Sequence, residues 1–324
     1  MSFKISIKDS IKRTLELWLI VIILTSCEKE VRIQWPQSED KMVMSSVLVC
    51  GEPIRMKITK TIQYPFDNDH SFIQNAMAIV HCGERSDTLR HVGEGWYESP
   101  NIVVEGARYE AMARFEGQSI HACDFIPKSV FQYEVSNYMD SVSIDEEGTR
   151  YSQFEIRFKD SLSTKDFYEV GIEIHNSYNS SIGYHYEHYQ YWPCRSSDLS
   201  VLEEGLQSHY PPTVIFSDRM FDGEYKHLVV QYSPPKWNTG AVIDYDEVVV
   251  HFRHVSENHF HYKKKLAMHL SGLESDFWQG AGDPVPMFSN VEGGYGIFAG
   301  YWERTDTIHK KTHSYTNDAN DIVP

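Results

Sequence analysis

The densest concentration of chemically capable side chains is the nonapeptide YHYEHYQYW at residues 184–192, with His175 and Tyr178 just before it. Alternate side chains of an extended strand face opposite ways. His185, Glu187, Tyr189 and Tyr191 therefore share one face, with Tyr184, Tyr186, His188, Gln190 and Trp192 on the other. A histidine and a carboxylate two residues apart on one face supply two ligands to a divalent metal, and a third must come from elsewhere. The same rings suit haem or another flat aromatic ligand. The alternative is a plain amphipathic sheet surface, in which tyrosine and histidine pack their rings and keep their polar tips in water. His185, Glu187, Tyr189, Tyr191 and Trp192 are the residues singled out for ligand binding; no metal site is assigned, and haem or a divalent metal is the alternative to a protein without cofactor.

Elsewhere the chemistry is thin. His259 and His261 lie two apart in a helical stretch and point to different sides. His251 and His254, three apart on a strand, fall on opposite faces. The sequence has no Gly-x-Ser-x-Gly elbow and no His-Glu-x-x-His pair. GEGW at 93–96 and GGYG at 293–296 follow neither a dinucleotide nor a phosphate-loop pattern. Glu146-Glu147 and Glu203-Glu204 read as solvated, and Lys263-Lys264-Lys265 as the solvated face of a helix. No catalytic residue is assigned, and the chain is expected not to be an enzyme.

The amino terminus carries an address. Lys4, Lys8, Lys12 and Arg13 precede the apolar run Leu17–Leu24, which is far shorter than the roughly 20 residues needed to span a bilayer. Leu24-Thr25-Ser26-Cys27 is similar to a bacterial lipoprotein box. Residues 1–26 are thus read as a lipoprotein signal peptide, Cys27 as the lipidated residue and 27–41 as an extended tether. A short membrane helix with an incidental cysteine is the competing reading. The formal net charge of −16 and the absence of a basic stripe exclude nucleic acid as a partner. Cys50, Cys82, Cys123 and Cys194 form no Cys-x-x-Cys pair. An exported chain permits disulfides, and Cys82 and Cys123, each near the end of a strand-like run, are open either to a bridge or to a free-thiol state.

The elements that must position these groups are mainly β. Residues 42–127 contain short apolar-polar runs separated by turn signals, with Glu116-Gly117 at a hairpin, and fit an immunoglobulin-like β-sandwich. Pro127 closes that region. Residues 128–308 resume with strands such as Phe154-Glu155-Ile156-Arg157-Phe158, whose alternation marks a half-buried strand. One helix stands out at about 256–270, with Ser256 as its N-cap, Phe260, Ala267 and Leu270 as its apolar face, and Gly272 as its stop. The expected fold is two β-sandwich domains, the second with that one inserted helix, followed by a flexible tail at 309–324.

FSDRMFDGEYKHLVVQY (216–232), GDPVPMFSNVEGGYGIFAGYW (282–302) and the Cys27-Glu28-Lys29-Glu30 start together resemble the Bacteroidetes outer-membrane lipoprotein family catalogued as domain of unknown function 4249. Val291 and Tyr295 are mild departures from that pattern. Physically, Gly293, Gly294 and Gly296 permit a tight turn into a last strand whose Ile297 and Phe298 plug the core. No active site carries over. The resemblance implies an outer-membrane, lipid-anchored protein, on the surface or facing the periplasm, that accompanies a TonB-dependent transporter in nutrient uptake. Its ligand is not defined by these motifs.

Overall fold

The computed structural model describes residues 40–62, 72–179, 185–235, 245–273 and 285–310. These residues fall in one compact unit, Asp40–Ile62 with Asn68–Pro324. Its first eight strands are β1 (Met42–Val49), β2 (Pro53–Lys60), β3 (Met77–Cys82), β4 (Arg85–Thr88), β5 (Arg90–Gly93), β6 (Trp96–Ile102), β7 (Arg108–Phe115) and β8 (Gln118–Phe125). The rest are β9 (Glu134–Ile144), β10 (Arg150–Lys159), β11 (Phe167–Asn179), β12 (His185–Trp192), β13 (Val214–Ser217), β14 (Tyr225–Tyr232), β15 (Glu247–Val255) and β16 (Tyr295–His309). A short helix α1 (Leu199–Leu202) precedes β13, and the long helix α2 (Glu257–Leu273) follows β15. The fold is mainly β, as the strand periodicities require.

The largest sheet runs β12-β11-β15-β16-β1-β2-β6-β5, with β13 also paired to β11. It crosses Pro127, since β1, β2, β5 and β6 lie before that residue and the remaining strands after it. Two smaller sheets, β4-β3-β7-β8 and β14-β10-β9, complete the β structure. Each packs against part of the long sheet. Met44, Ile58 and Tyr97 meet Val80, Ala113 and Ile120 in one core, and Val170, Ile172 and Phe252 meet Phe154, Ile156 and Leu228 in the other. Phe154, Ile156 and Phe158 are all fully buried, so the alternation read from the sequence is the alternation of the sheet.

The long sheet is closed by the parallel pairing of β1 with β16, from Val43 opposite Tyr295 to Val49 opposite Tyr301. Gly296 sits in this seam at φ +122°, and a Cβ there would lie 1.8 Å from the Met44 carbonyl oxygen. Only glycine permits so close an approach of the two backbones. Ile297 and Phe298 are buried beside it, as the glycine-rich motif required.

Ser256 caps α2: its Oγ accepts the His259 backbone N–H at 3.2 Å. Phe260 and Ala267 are buried, whereas Leu270 is 45% exposed and the helix continues through Gly272 to Leu273. The apolar stripe is thus narrower than the sequence pattern, and a buried polar residue, His259, shares it.

Cys50, Cys82, Cys123 and Cys194 are free thiols. A Cys82–Cys123 bridge is corrected by the register. Cys82 pairs with Tyr109 and Cys123 with Glu110, so β7 separates them and they face opposite sides of the sheet. Two strand spacings come to roughly 9–10 Å, beyond the roughly 7 Å limit of Cα separation for a disulfide. The signal peptide, Cys27 and most of the tether lie outside the described residues, as does the tail beyond Lys310.

Candidate functional site

The two sheets of the second core leave an open edge where β12 ends and β13 begins. Between them the chain steps out of the sheet, forms α1 and a single 3-10 turn at Gln207–His209, and returns. Asp198 caps α1 by accepting the Ser200 N–H at 2.9 Å. The step-out is pinned on both sides. Arg195 and Gln231 exchange two backbone hydrogen bonds of 2.8 Å, and Cys194 N donates to the Pro212 carbonyl at 3.2 Å. The Trp192 indole N–H donates to the Ser233 carbonyl at 2.6 Å, and the Ser196 hydroxyl to the Val229 carbonyl at 2.7 Å.

These anchors leave a cleft of about 820 Å³ lined by, among others, Tyr151, Tyr191, Trp192, Arg195, Tyr210 and Tyr232. That size lies within the roughly 300–1,000 Å³ typical of small-molecule sites. Its floor is buried: Tyr232 is 1% exposed, its hydroxyl 2.8 Å from that of Tyr245, and burial raises its pKa. Burial likewise pushes the Cys194 thiol up to about 12, so that sulfur is no nucleophile. The rim is wet and aromatic, with Tyr191 63% and Tyr210 86% exposed. Tyr210 stands in the left-handed region at φ 45°, an uncommon backbone for a ring-bearing residue. The cleft offers ring faces, amides and hydroxyls around an apolar floor.

The sequence-predicted residues divide here. Tyr189 and Tyr191 do share a face, and β11 and β15 each add a histidine to it. His175 stacks on Tyr189 with centroids 4.1 Å apart and planes within 4°, and His251 lies 5.5 Å from Tyr191. His175 Nδ1 is 3.2 Å from Glu247, which also holds His309 at 2.8 Å. Trp192 faces the other way, yet it joins Tyr191 at the cleft because β12 ends there. The backbone of His185 and Glu187 lies in β12 opposite Asn179 and Ser177. Their side chains fall outside the described residues.

A buried charge network was missed. Glu169 on β11 has no exposed surface, yet Lys263 Nζ lies 2.9 Å from it, His259 Nε2 2.9 Å and Arg253 Nη1 3.6 Å. Burial alone would raise its pKa, but the His259 hydrogen bond and the charges of Lys263 and Arg253 outweigh this and hold it well below 4.5. His259 is lowered, chiefly by burial, so it is a neutral donor through Nε2 whose Nδ1 has no partner. A second buried carboxylate, Glu204, accepts from Lys264 at 2.7 Å and from Ser217 at 2.7 Å. Two members of the lysine run therefore clamp α2 to buried carboxylates, and Glu204 is not solvated. The spacing His259…Lys263, four residues apart on one helical face, was the available signal. Nothing local in β11 marked Glu169 as their partner.

Among the described residues one group of three carboxylates converges, Asp160, Asp218 and Asp222, with oxygens within 4.8 Å of one another. Oxygen-only ligands of this kind suit a hard cation. Here they already serve the fold. Asp160 accepts from the Tyr168 hydroxyl and the Gly223 N–H, Asp218 from the Asp166 N–H, and Asp222 from the Ser163 N–H.

A mainly β chain with a sheet closed by a glycine-rich last strand, and with an aromatic cleft at a sheet edge, defines the class. The sequence matches the family described as "Domain of unknown function (DUF4249)" over residues 28–307, and the chain belongs to that family. No curated protein matches it. One solved structure, the crystal structure of a "Putative membrane anchored protein from Corynebacterium diphtheriae", shares 6% identity at a TM-score of 0.18, covering 68% of this chain and 55% of that one. The chain thus spans just over half of that protein, and the likeness carries no argument about fold or function.

Proposed function

We propose that this chain is a Bacteroidetes lipoprotein, anchored to the outer membrane through Cys27 and displayed at the cell surface, that holds a ligand for a TonB-dependent transporter. The observation that carries the ligand-binding part is the cleft: about 820 Å³, with Tyr151, Tyr191, Trp192, Tyr210 and Tyr232 around it. Exposed rings gathered beside an apolar floor are the mark of a ligand-binding groove. The address rests on Leu24-Thr25-Ser26-Cys27 and the acidic residues after it, and the transporter partnership on family membership. Protease shaving of intact cells tests the address. The wild type is expected to be membrane-bound and shaved, and Cys27→Ala released; a membrane-bound but protected wild type would overturn surface display. Co-purification from solubilised outer membrane tests the partnership, which recovery without any transporter would overturn.

A second reading, capture of haem or a divalent metal, is favoured by His175, whose Nε2 has no hydrogen-bond partner among the described residues and whose ring lies flat against Tyr189. Titration with hemin and with divalent ions tests it. A Soret shift or a metal-dependent rise in melting temperature that His175→Ala abolishes is the expected result, and no change with either probe discards the reading.

A further inference from the structure

We infer that the cleft takes a flat, apolar ligand bearing one anionic group, and that Arg195 receives the charge. This rests on reading the cleft as the ligand site and names the class of molecule it selects. Among the described residues, Arg195 is the sole formally charged side chain lining the cleft. The chain as a whole carries 46 acidic against 30 basic residues, yet among the described residues no carboxylate lines this cleft. A cationic ligand would find no counter-charge there. A neutral one would leave an arginine with no role at the mouth of an apolar floor.

The guanidinium is also pre-set. It lies over the Tyr151 ring, 3.7 Å from the centroid, which fixes its plane and leaves its N–H edge free to meet a carboxylate in two parallel hydrogen bonds. Its backbone is held by the paired hydrogen bonds to Gln231, so the side chain starts from a fixed point. The acid that feels its charge is Asp145, which does not occupy it. That carboxylate accepts from the Tyr151 hydroxyl at 3.0 Å, from Thr149 N at 2.8 Å and from Glu147 N at 3.0 Å. Among the described residues no carboxylate lies within ion-pair distance of the Arg195 guanidinium. Arg195 is exposed, so a ligand anion reaches it without first desolvating a buried ion. The flat body follows from the lining, to which Tyr151, Tyr191, Trp192 and Tyr210 all contribute. Ring-on-ring contact favours a planar partner.

The test uses two probes of the same ring and shape, the anionic 2-naphthoate and the neutral 2-naphthamide, titrated calorimetrically into the full chain under identical detergent conditions. The naphthoate is expected to bind about tenfold more tightly, as one charge-assisted pair provides. Arg195→Gln is expected to weaken naphthoate far more than naphthamide and so remove the preference, and Arg195→Lys to keep part of it. Tyr191→Ala and Tyr210→Ala weaken both probes alike. Melting temperatures of the variants confirm that each is folded. Equal affinity of the wild type for both probes, or an Arg195→Gln loss shared equally between them, would overturn the anionic class while leaving a ligand site in place. Failure of both probes to bind overturns the inference and the ligand-site reading together.

Discussion

Lys263 Nζ sits 2.9 Å from Oε1 of Glu169, a carboxylate with no exposed surface. A lysine in the most basic stretch of the chain is thus spent on a buried acid, and its stem crosses from helix to sheet. With His259 one turn earlier on α2 and Arg253 on β15, it turns Glu169 into the joint between the helix and the long sheet. Ionised Glu169 is stabilised by the fold, since its pKa is held below 4.5.

Glu169→Gln is therefore expected to destabilise the protein by about 3 kcal/mol near neutral pH, because it takes the anion from half-buried Lys263 and one of two carboxylates from buried Arg253. A carboxyl with a depressed folded-state pKa contributes stability above its unfolded value and loses it as pH falls. The penalty should accordingly be full at about pH 7 and shrink once pH drops below 4.5. Urea unfolding of both proteins across that range checks it, and a pH-independent penalty would show that Glu169 is not ionised in the folded state.

Asp124 behaves with the opposite sign. Burial raises its pKa from 3.8 to about 6, against the Asn258 and Ser256 hydrogen bonds that favour the anion. The folded state binds the proton more tightly, so stability falls as pH rises from 3.8 to about 6 and is level above that. At about 1.36 kcal/mol per unit the loss is of order 3 kcal/mol. Asp124→Asn, neutral at all pH, should gain melting temperature relative to wild type at about pH 8 and lose that gain near pH 4. A constant difference across the range would contradict the assignment.

Gly296→Ala places a methyl 1.8 Å from the Met44 carbonyl at a φ of +122°. Backbone, not a flexible side chain, stands in the way, so β1 and β16 must part. A loss of about 3 kcal/mol or more is expected. The melting temperature measures it, and a shift of only a degree or two would mean the seam is looser than described.

The thiols give a simple count. With Cys82 and Cys123 on opposite faces of their sheet, unfolding without reductant should expose Cys50, Cys82, Cys123 and Cys194 all to alkylation. Mass spectrometry after iodoacetamide reads it, and a Cys82–Cys123 peptide that resists alkylation would refute the register.

What the sequence made legible was local. The alternation of Phe154, Ile156 and Phe158, the left-handed Glu116-Gly117 hairpin turn and the Ser256 cap all depend on neighbours a few residues away. The shared face of Tyr189 and Tyr191 was legible for the same reason. The cleft was half visible, through Tyr191 and Trp192. Its other walls, Tyr151 on β10 and Tyr232 on β14, are brought to Arg195 only by sheet pairing. Glu169 and its helical partners were hidden likewise: a charged residue reads as solvated until a distant helix supplies the counter-charge. The same limit left the pairing of β1 with β16 out of view.

That pairing makes the order of assembly matter. β1 finds β2 at once, through a turn of a few residues, but its other partner is the last strand of the fold, nearly the whole described chain away. Contacts so distant in sequence form slowly. Until they form, β1 and β15 each present an unpaired edge, and bare edges invite pairing with other chains. β16 is also the strand that joins the two halves of the long sheet. A chain stopped short of Tyr295 would thus hold two separate half-sheets, each sticky along one side, and the final fifteen-residue strand works as the rivet that makes them one.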